Sequence, residues 1–211
     1  MRNVLADLAL ESEAALAMTL RIARALDGQQ GSESEALLVR IGTALGKYWI
    51  CKRAPGHAFE AMECIGGMGV MEDTIMPRLY REAPVNAIWE GSGNVQCLDL
   101  LRILRKTPHA LEALFAELER ARGAHAALDR AIDALGRRLA GPQPDEYTLR
   151  SVMQSLATTF QAATLVLYGD GRVAEAFCAA RLAQPAQGLY GNLPAGLDGF
   201  GLVERATPVV G

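Results

Sequence analysis

Between Glu63 and Arg102 the chain carries its densest run of residues able to do chemistry. Glu90 stands out there, because Trp89 precedes it and Gly91-Ser92-Gly93 follow. An aromatic neighbour can desolvate a carboxylate and raise its pKa, and glycines let a ligand approach, which together suit a general base. A helix beginning near Ser92 offers a plainer role, in which Glu90 complements the positive helix end. The residues alone favour that plainer role. Upstream, Gly66, Gly67 and Gly69 leave backbone N–H groups bare of side chains, as close approach to a phosphate or pyrophosphate requires. The same glycines equally suit a tight turn, which is the commoner use. Arg78, Arg81 and Glu82 read as a structural ion-pair network.

Other chemistries find little footing. Cys51, Cys64, Cys97 and Cys178 form no Cys-x-x-Cys pattern, and His57, His109 and His125 lack ligand spacing, so neither a metal site nor a disulfide framework is expected. The formal net charge is −3 with both signs mixed along the chain, which gives no composition-level case for nucleic acid while leaving room for a local basic face. Arg120, Arg122, Arg130, Arg137 and Arg138 alternate with Glu112, Glu117, Glu119, Asp129 and Asp133, the pattern of a solvated face with pairs four residues apart. The N-terminus has no secretory apolar run, and no stretch of about 20 apolar residues could span a bilayer. A soluble, cytoplasmic protein without a membrane partner is expected.

The residues around Glu90 must be positioned by helices. Apolar residues recur with helical period from Leu5 to Leu26, and again from Ser34 toward Cys64, where Pro55-Gly56 should kink or split the run. Residues 66–84 are broken by Gly and Pro into a loop with a short helix. Val95, Leu98, Leu101 and Leu104 restore a helix that Thr107-Pro108 closes, with Thr107 as N-cap of the next. One long helix is predicted from Pro108 to about Leu139, then two more over Ser151–Tyr168 and Arg172–Leu182. The Gly- and Pro-rich tail from Gln184 to Gly211 reads as an extended arm or as disordered. The expectation is an all-α helical bundle over residues 1–106, followed by a helical extension with its tail over 107–211.

The order and spacing of Glu63-Cys64-Ile65-Gly66-Gly67-Met68-Gly69, Arg78, Arg81-Glu82 and Trp89-Glu90-Gly91-Ser92-Gly93-Asn94-Val95-Gln96 resemble the C-terminal signature of acyl-CoA dehydrogenases. That family carries a Gln-x-x-Gly-Gly-x-Gly-aromatic loop, an Arg-Asp pair and an aromatic-Glu-Gly-Thr segment, and the match runs over roughly residues 1–105. The resemblance implies that Glu90 removes the α-proton of an acyl-CoA thioester while the β-hydrogen leaves as hydride to FAD. It implies that the loop of Gly66, Gly67 and Gly69 meets the FAD of a neighbouring subunit, in a homodimer or homotetramer. Ser92 and Asn94 would then lie by the flavin's phosphate and adenosine part. Three positions depart from the pattern: Glu63 replaces Gln and brings negative charge near a pyrophosphate, Val70 replaces an aromatic, and Ser92 replaces Thr.

The phrase from Arg78 to Asn94 and the extension after Thr107 resemble the alkylation-response, AidB-like branch of the family. That branch implies binding of double-stranded DNA, with Arg102 and Arg181 on the DNA-facing surface, beside a weak dehydrogenase site. An oligomerisation bundle is the remaining alternative. The resemblance also places the family's N-terminal and middle domains, and the helix with its flavin-contacting Arg, outside this chain, which by itself is expected to be inactive and flavin-free.

Overall fold

Two long helices form the frame. In α1 (Arg2–Gly28) the residues Ala6, Leu10, Ala14 and Met18 follow one another every fourth position, so all four lie on one buried stripe. Ser32 opens α2 (Glu33–Cys64) by accepting the N–H of Glu35 at 3.4 Å. Pro55 neither splits α2 nor ends it. The helix loses one backbone bond there, but packing against α1 and the segments that follow holds it. The computed structural model describes residues 1–183 and 189–208.

Beyond α2 come a single 3-10 turn (Gly66–Val70), the short α3 (Met76–Glu82) with Pro77 at its start, a second 3-10 turn (Ala83–Ala87), and α4 (Gly93–Lys106). Thr107 closes α4 instead of capping the next helix, which begins at His109 with Pro108 in the cap position. The single long helix expected after it is two. Helix α5 (His109–Glu119) stops, Gly123 takes φ +88°, and α6 (Ala126–Ala140) restarts. The break is satisfied locally, since the Gly123 N–H donates to the Asp129 carboxylate at 3.0 Å and His125 Nδ1 accepts the N–H of Ala127 at 3.0 Å.

The core is built around α7 (Leu149–Tyr168). Phe160 is fully buried, together with Val152, Met153, Leu156 and Leu165, and α7 packs against α1, α2, α4, α5, α6 and α8 (Gly171–Phe177). Burying one such large apolar side chain is worth about 1.5–3 kcal/mol. Three threonines sit in this buried helix without cost, because Thr158, Thr159 and Thr164 each donate to the carbonyl four residues earlier. A π-helical turn, Cys178–Leu182, extends α8. The core residues of 1–106 and of the extension form one hydrophobic cluster, and among the described residues there is no strand.

The tail departs from the extended or disordered arm expected of it. Helix α9 (Gly199–Ala206), capped by Asp198, packs on α1. Asn3 binds the backbone of Leu193 in both directions, at 3.1 and 3.0 Å, and Asp7 accepts the N–H of Gly191 at 2.9 Å. Residues 184–188 and 209–211, which belong to the same expectation, lie outside the described residues.

Candidate functional site

The turn that presents Glu90 is built from both sides. The N–H groups of Ile88 and Trp89 both bond the carbonyl of Val85, which ends the 3-10 turn. Glu90 then takes φ +55° and Gly91 φ +104°, and Glu90 is the one non-glycine residue in the left-handed region among the described residues. Such a conformation costs a non-glycine residue about 1–3 kcal/mol and persists only where its surroundings enforce it. Gln96, one turn into α4, supplies that enforcement: its Nε2 donates to the carbonyls of Glu90 (3.2 Å) and Gly91 (3.3 Å). A Cβ at Gly91 would lie 2.5 Å from that same nitrogen, so the latch requires glycine.

The aromatic shielding expected at Glu90 is not found among the described residues. Trp89 is 59% exposed and Glu90 is exposed, with Val85, Ile88 and Val95 also open on the same stretch. The result is an accessible carboxylate in an apolar surround, which a ligand laid across it would desolvate.

The three glycines of the loop differ in their surroundings. Gly66, at φ +71°, turns the chain out of α2. Gly69 is buried against α2, where a Cβ would sit 2.2 Å from the carbonyl oxygen of Met62. Gly67 faces open space, with nothing within 4 Å of a Cβ built on it. Beyond the loop, Arg78 pairs with Glu82 at 3.0 Å, but Arg81 reaches back to Glu72 at 2.5 Å; the ion pairs are exposed and structural.

Ser92 and Asn94 line a cleft of about 360 Å³ with Lys52, Gly93 and Arg150. Arg150 donates its Nε to Asn94 Oδ1 at 2.9 Å. Neither Gln96 nor Arg150 was marked by sequence reasoning as a site residue. Gln96 lies within the signature phrase, so a signal existed; nothing in the spacing of the chain connects residue 150 with residue 94.

Arg102 and Arg181, grouped by sequence on one DNA-facing surface, have different surroundings. Arg102 is 61% exposed and bonds Asp99 at 2.8 Å, while Arg40 binds the same carboxylate through two N–H groups. Hydrogen bonding to Arg40 holds the Asp99 carboxyl below its ordinary range despite partial burial. Arg181 is 17% exposed and committed to Asp7 and Glu11, the latter also bound by Arg53. Those pairs neutralise much of its charge within the chain, while its Nε has no hydrogen-bond partner among the described residues. Among the described residues no group of three metal-ligating side chains occurs, and no helix is long and apolar enough to cross a membrane.

The model of the acyl-CoA dehydrogenase C-terminal domain matches residues 1–104, the span that carries the glycine turn, the Glu90 turn and the start of α4. Residues 1–104 belong to the acyl-CoA dehydrogenase family. The putative acyl-CoA dehydrogenase AidB of Escherichia coli (strain K12) is 39% identical over 178 residues, 84% of this chain and 32% of that protein. Acyl-CoA dehydrogenase family member 11 of Caenorhabditis elegans is 34% identical over 124 residues, 57% of this chain and 20% of its own length. The crystal structure of Caenorhabditis elegans ACDH-11 in complex with C11-CoA superposes with a TM-score of 0.75 at 25% identity, over 84% of this chain and 35% of that one. A match over 84% of the chain reaches well past residue 104, so the extension is shared with these relatives of the family. The chain spans about a third of the length of AidB and of the ACDH-11 structure.

Proposed function

We propose that this chain is the C-terminal part of an FAD-dependent acyl-CoA dehydrogenase-like protein in which Glu90 is the base. One observation carries the reading: the single non-glycine residue in the left-handed region among the described residues is the carboxylate at the family's base position, and a side chain latches its backbone. A conformation that costs free energy and is actively held marks a functional position. In this role a Glu90 carboxylate oxygen takes the α-proton of an acyl-CoA thioester, and the apolar stretch around it removes water once the acyl chain lies over it. Bound flavin supplies the acceptor for the β-hydrogen. The residues fit that group: Gly66 and Gly67 leave backbone bare, and Ser92 and Asn94 offer donors suited to a diphosphate. The loop of Gly66, Gly67 and Gly69 would serve the FAD of a second copy, making the working unit a homodimer or homotetramer. The chain alone would be inactive and flavin-free.

The test uses the full-length protein and a panel of acyl-CoAs. Flavin bleaching by at least one of them, lost in Glu90→Gln, is the expected result; no bleaching by any, or equal bleaching in the variant, overturns the reading. Binding of double-stranded DNA is a second reading, favoured by Lys106, Arg130 and Arg137, which are exposed and have no carboxylate partner among the described residues, and by Arg102 nearby on α4. Each phosphate neutralised would add about −0.9 to the log–log salt slope of binding. A flat salt dependence would sink it. Assembly alone, with neither flavin nor DNA, is the outcome left if both fail.

A further inference from the structure

Arg150 belongs to the first turn of α7, outside the family-matched residues 1–104, yet its Nε bonds Asn94 at 2.9 Å. With Nε so used, the two terminal nitrogens of the guanidinium remain for a second partner. No carboxylate lies within ion-pair distance of Arg150 or of Lys52 among the described residues, whereas Arg21, Arg40, Arg53 and Arg181 are all paired. Lys52 reaches the same place from α2. Its Cε would lie 3.0 Å from a Cβ at Gly93, so glycine there is what lets the lysine lie across the start of α4. Burial pushes the Cys97 thiol up, and Arg150 from α7 and Lys52 from α2 each oppose that shift. Between them opens the cleft of about 360 Å³ into which Ser92 and Asn94 face, with the Ser92 hydroxyl not engaged as a cap. Two unpaired cations, a free hydroxyl and an amide anchored through its oxygen, leaving its NH2 to donate, form a donor set for a phosphate ester, beside walls of Pro55, Pro84, Ala87 and Ile88.

We propose that Arg150 and Lys52 bind the diphosphate of the adenine dinucleotide at this corner, so that the C-terminal extension itself forms part of the cofactor site. The assignment rests on the flavin reading above and adds to it two residues, one from outside the family-matched bundle. Arg150 positions Asn94 through Nε and contacts phosphate through its terminal nitrogens. An extension that does both ties cofactor retention to its own folding.

The experiment titrates full-length apoprotein with FAD, with riboflavin, which has no phosphate, and with ADP, in wild type, Arg150→Met, Arg150→Lys and Lys52→Met. Expected is a loss of about tenfold in FAD and ADP affinity for each methionine variant, unchanged riboflavin affinity, and an intermediate loss for Arg150→Lys, which keeps the charge without the Nε bond to Asn94. Thermal melting of each variant separates loss of fold from loss of site. FAD and ADP affinities within twofold of wild type in folded Arg150→Met overturn the proposal while leaving the flavin reading intact. Should wild type bind no flavin, that reading fails, and ADP binding weakened in Arg150→Met still sustains the phosphate site; no binding of ADP either overturns both. Equal weakening of FAD and riboflavin also overturns it, because the effect would not depend on phosphate.

Discussion

Glu90→Gln keeps the size of the side chain and removes its basicity, so in the full-length protein it should lower the rate of flavin reduction by about 10²–10⁴-fold or more while leaving the melting temperature unchanged within error. Stopped-flow bleaching and a thermal melt check both halves. Gly91→Ala acts on the backbone: at φ +104°, with Gln96 Nε2 where the methyl would go, it should destabilise the protein by about 1–3 kcal/mol in denaturant unfolding. The part of this turn legible in the sequence was the signature phrase itself. Its left-handed geometry was not, since a carboxylate between Trp and Gly is compatible with ordinary backbone, and only the return of α4 brings Gln96 over residues 90 and 91.

Between elements, the buried ion pair of Arg21 on α1 with Glu117 on α5, 2.5 Å apart, fastens the extension to the bundle. Arg21 also binds Glu35 at 2.8 Å, and Glu117 binds Arg120 and the Tyr168 hydroxyl. Glu117→Ala removes the Nε partner of a buried guanidinium that keeps its two bonds to Glu35, and should cost about 1–3 kcal/mol, whereas the double variant Arg21→Met with Glu117→Leu should recover part of that loss. Equilibrium unfolding of the three variants decides. The pairs that form, Arg120 with Glu117 and Arg122 with Glu119, are three residues apart and not the four that the alternation suggested. The alternation placed them on a solvated face of one helix, because no proline marks the break at Gly123, and Glu117 is in fact buried against α1. Periodicity says which side of a helix is apolar, not which charged residue a neighbouring helix will cover.

For the molecule as a whole, one hydrophobic cluster spans residues 1–106 and the extension. A chain ending at Lys106 strips α7 and its Phe160 from α1, α2 and α4, and should be insoluble or molten, seen as loss of a cooperative melt. Acid should unfold the intact chain through its buried carboxylates. Burial alone would raise Glu11 and Glu117, but Arg53 and Arg181 at the first, and Arg21 and Arg120 at the second, bring both below their ordinary value of 4.5. Their contribution is present above about pH 4.5 and is lost as pH falls through the lowered folded values. Burial against Tyr190 also holds His57 below its ordinary 6.5, so below that pH the unfolded chain takes up the proton first and stability begins to fall. Melting temperature measured from pH 8 to pH 3 should drop first mildly and then steeply, and the steep limb should flatten in the Arg21→Met, Glu117→Leu double variant.

From the sequence by itself follow the all-helical class, the positions of α1, α2, α4, α7 and α8, the glycine turn, and the family of residues 1–104, because each rests on local periodicity or on a contiguous phrase. Only the tertiary structure decided that Arg181 is half-buried in ion pairs while Arg102 is exposed, that the tail returns to α1, and that Arg150 meets Asn94 across 56 residues. Those are long-range pairings, and a guanidinium looks the same in a sequence whether a carboxylate or open solvent waits at its far end. Which it meets is set by how the helices pack.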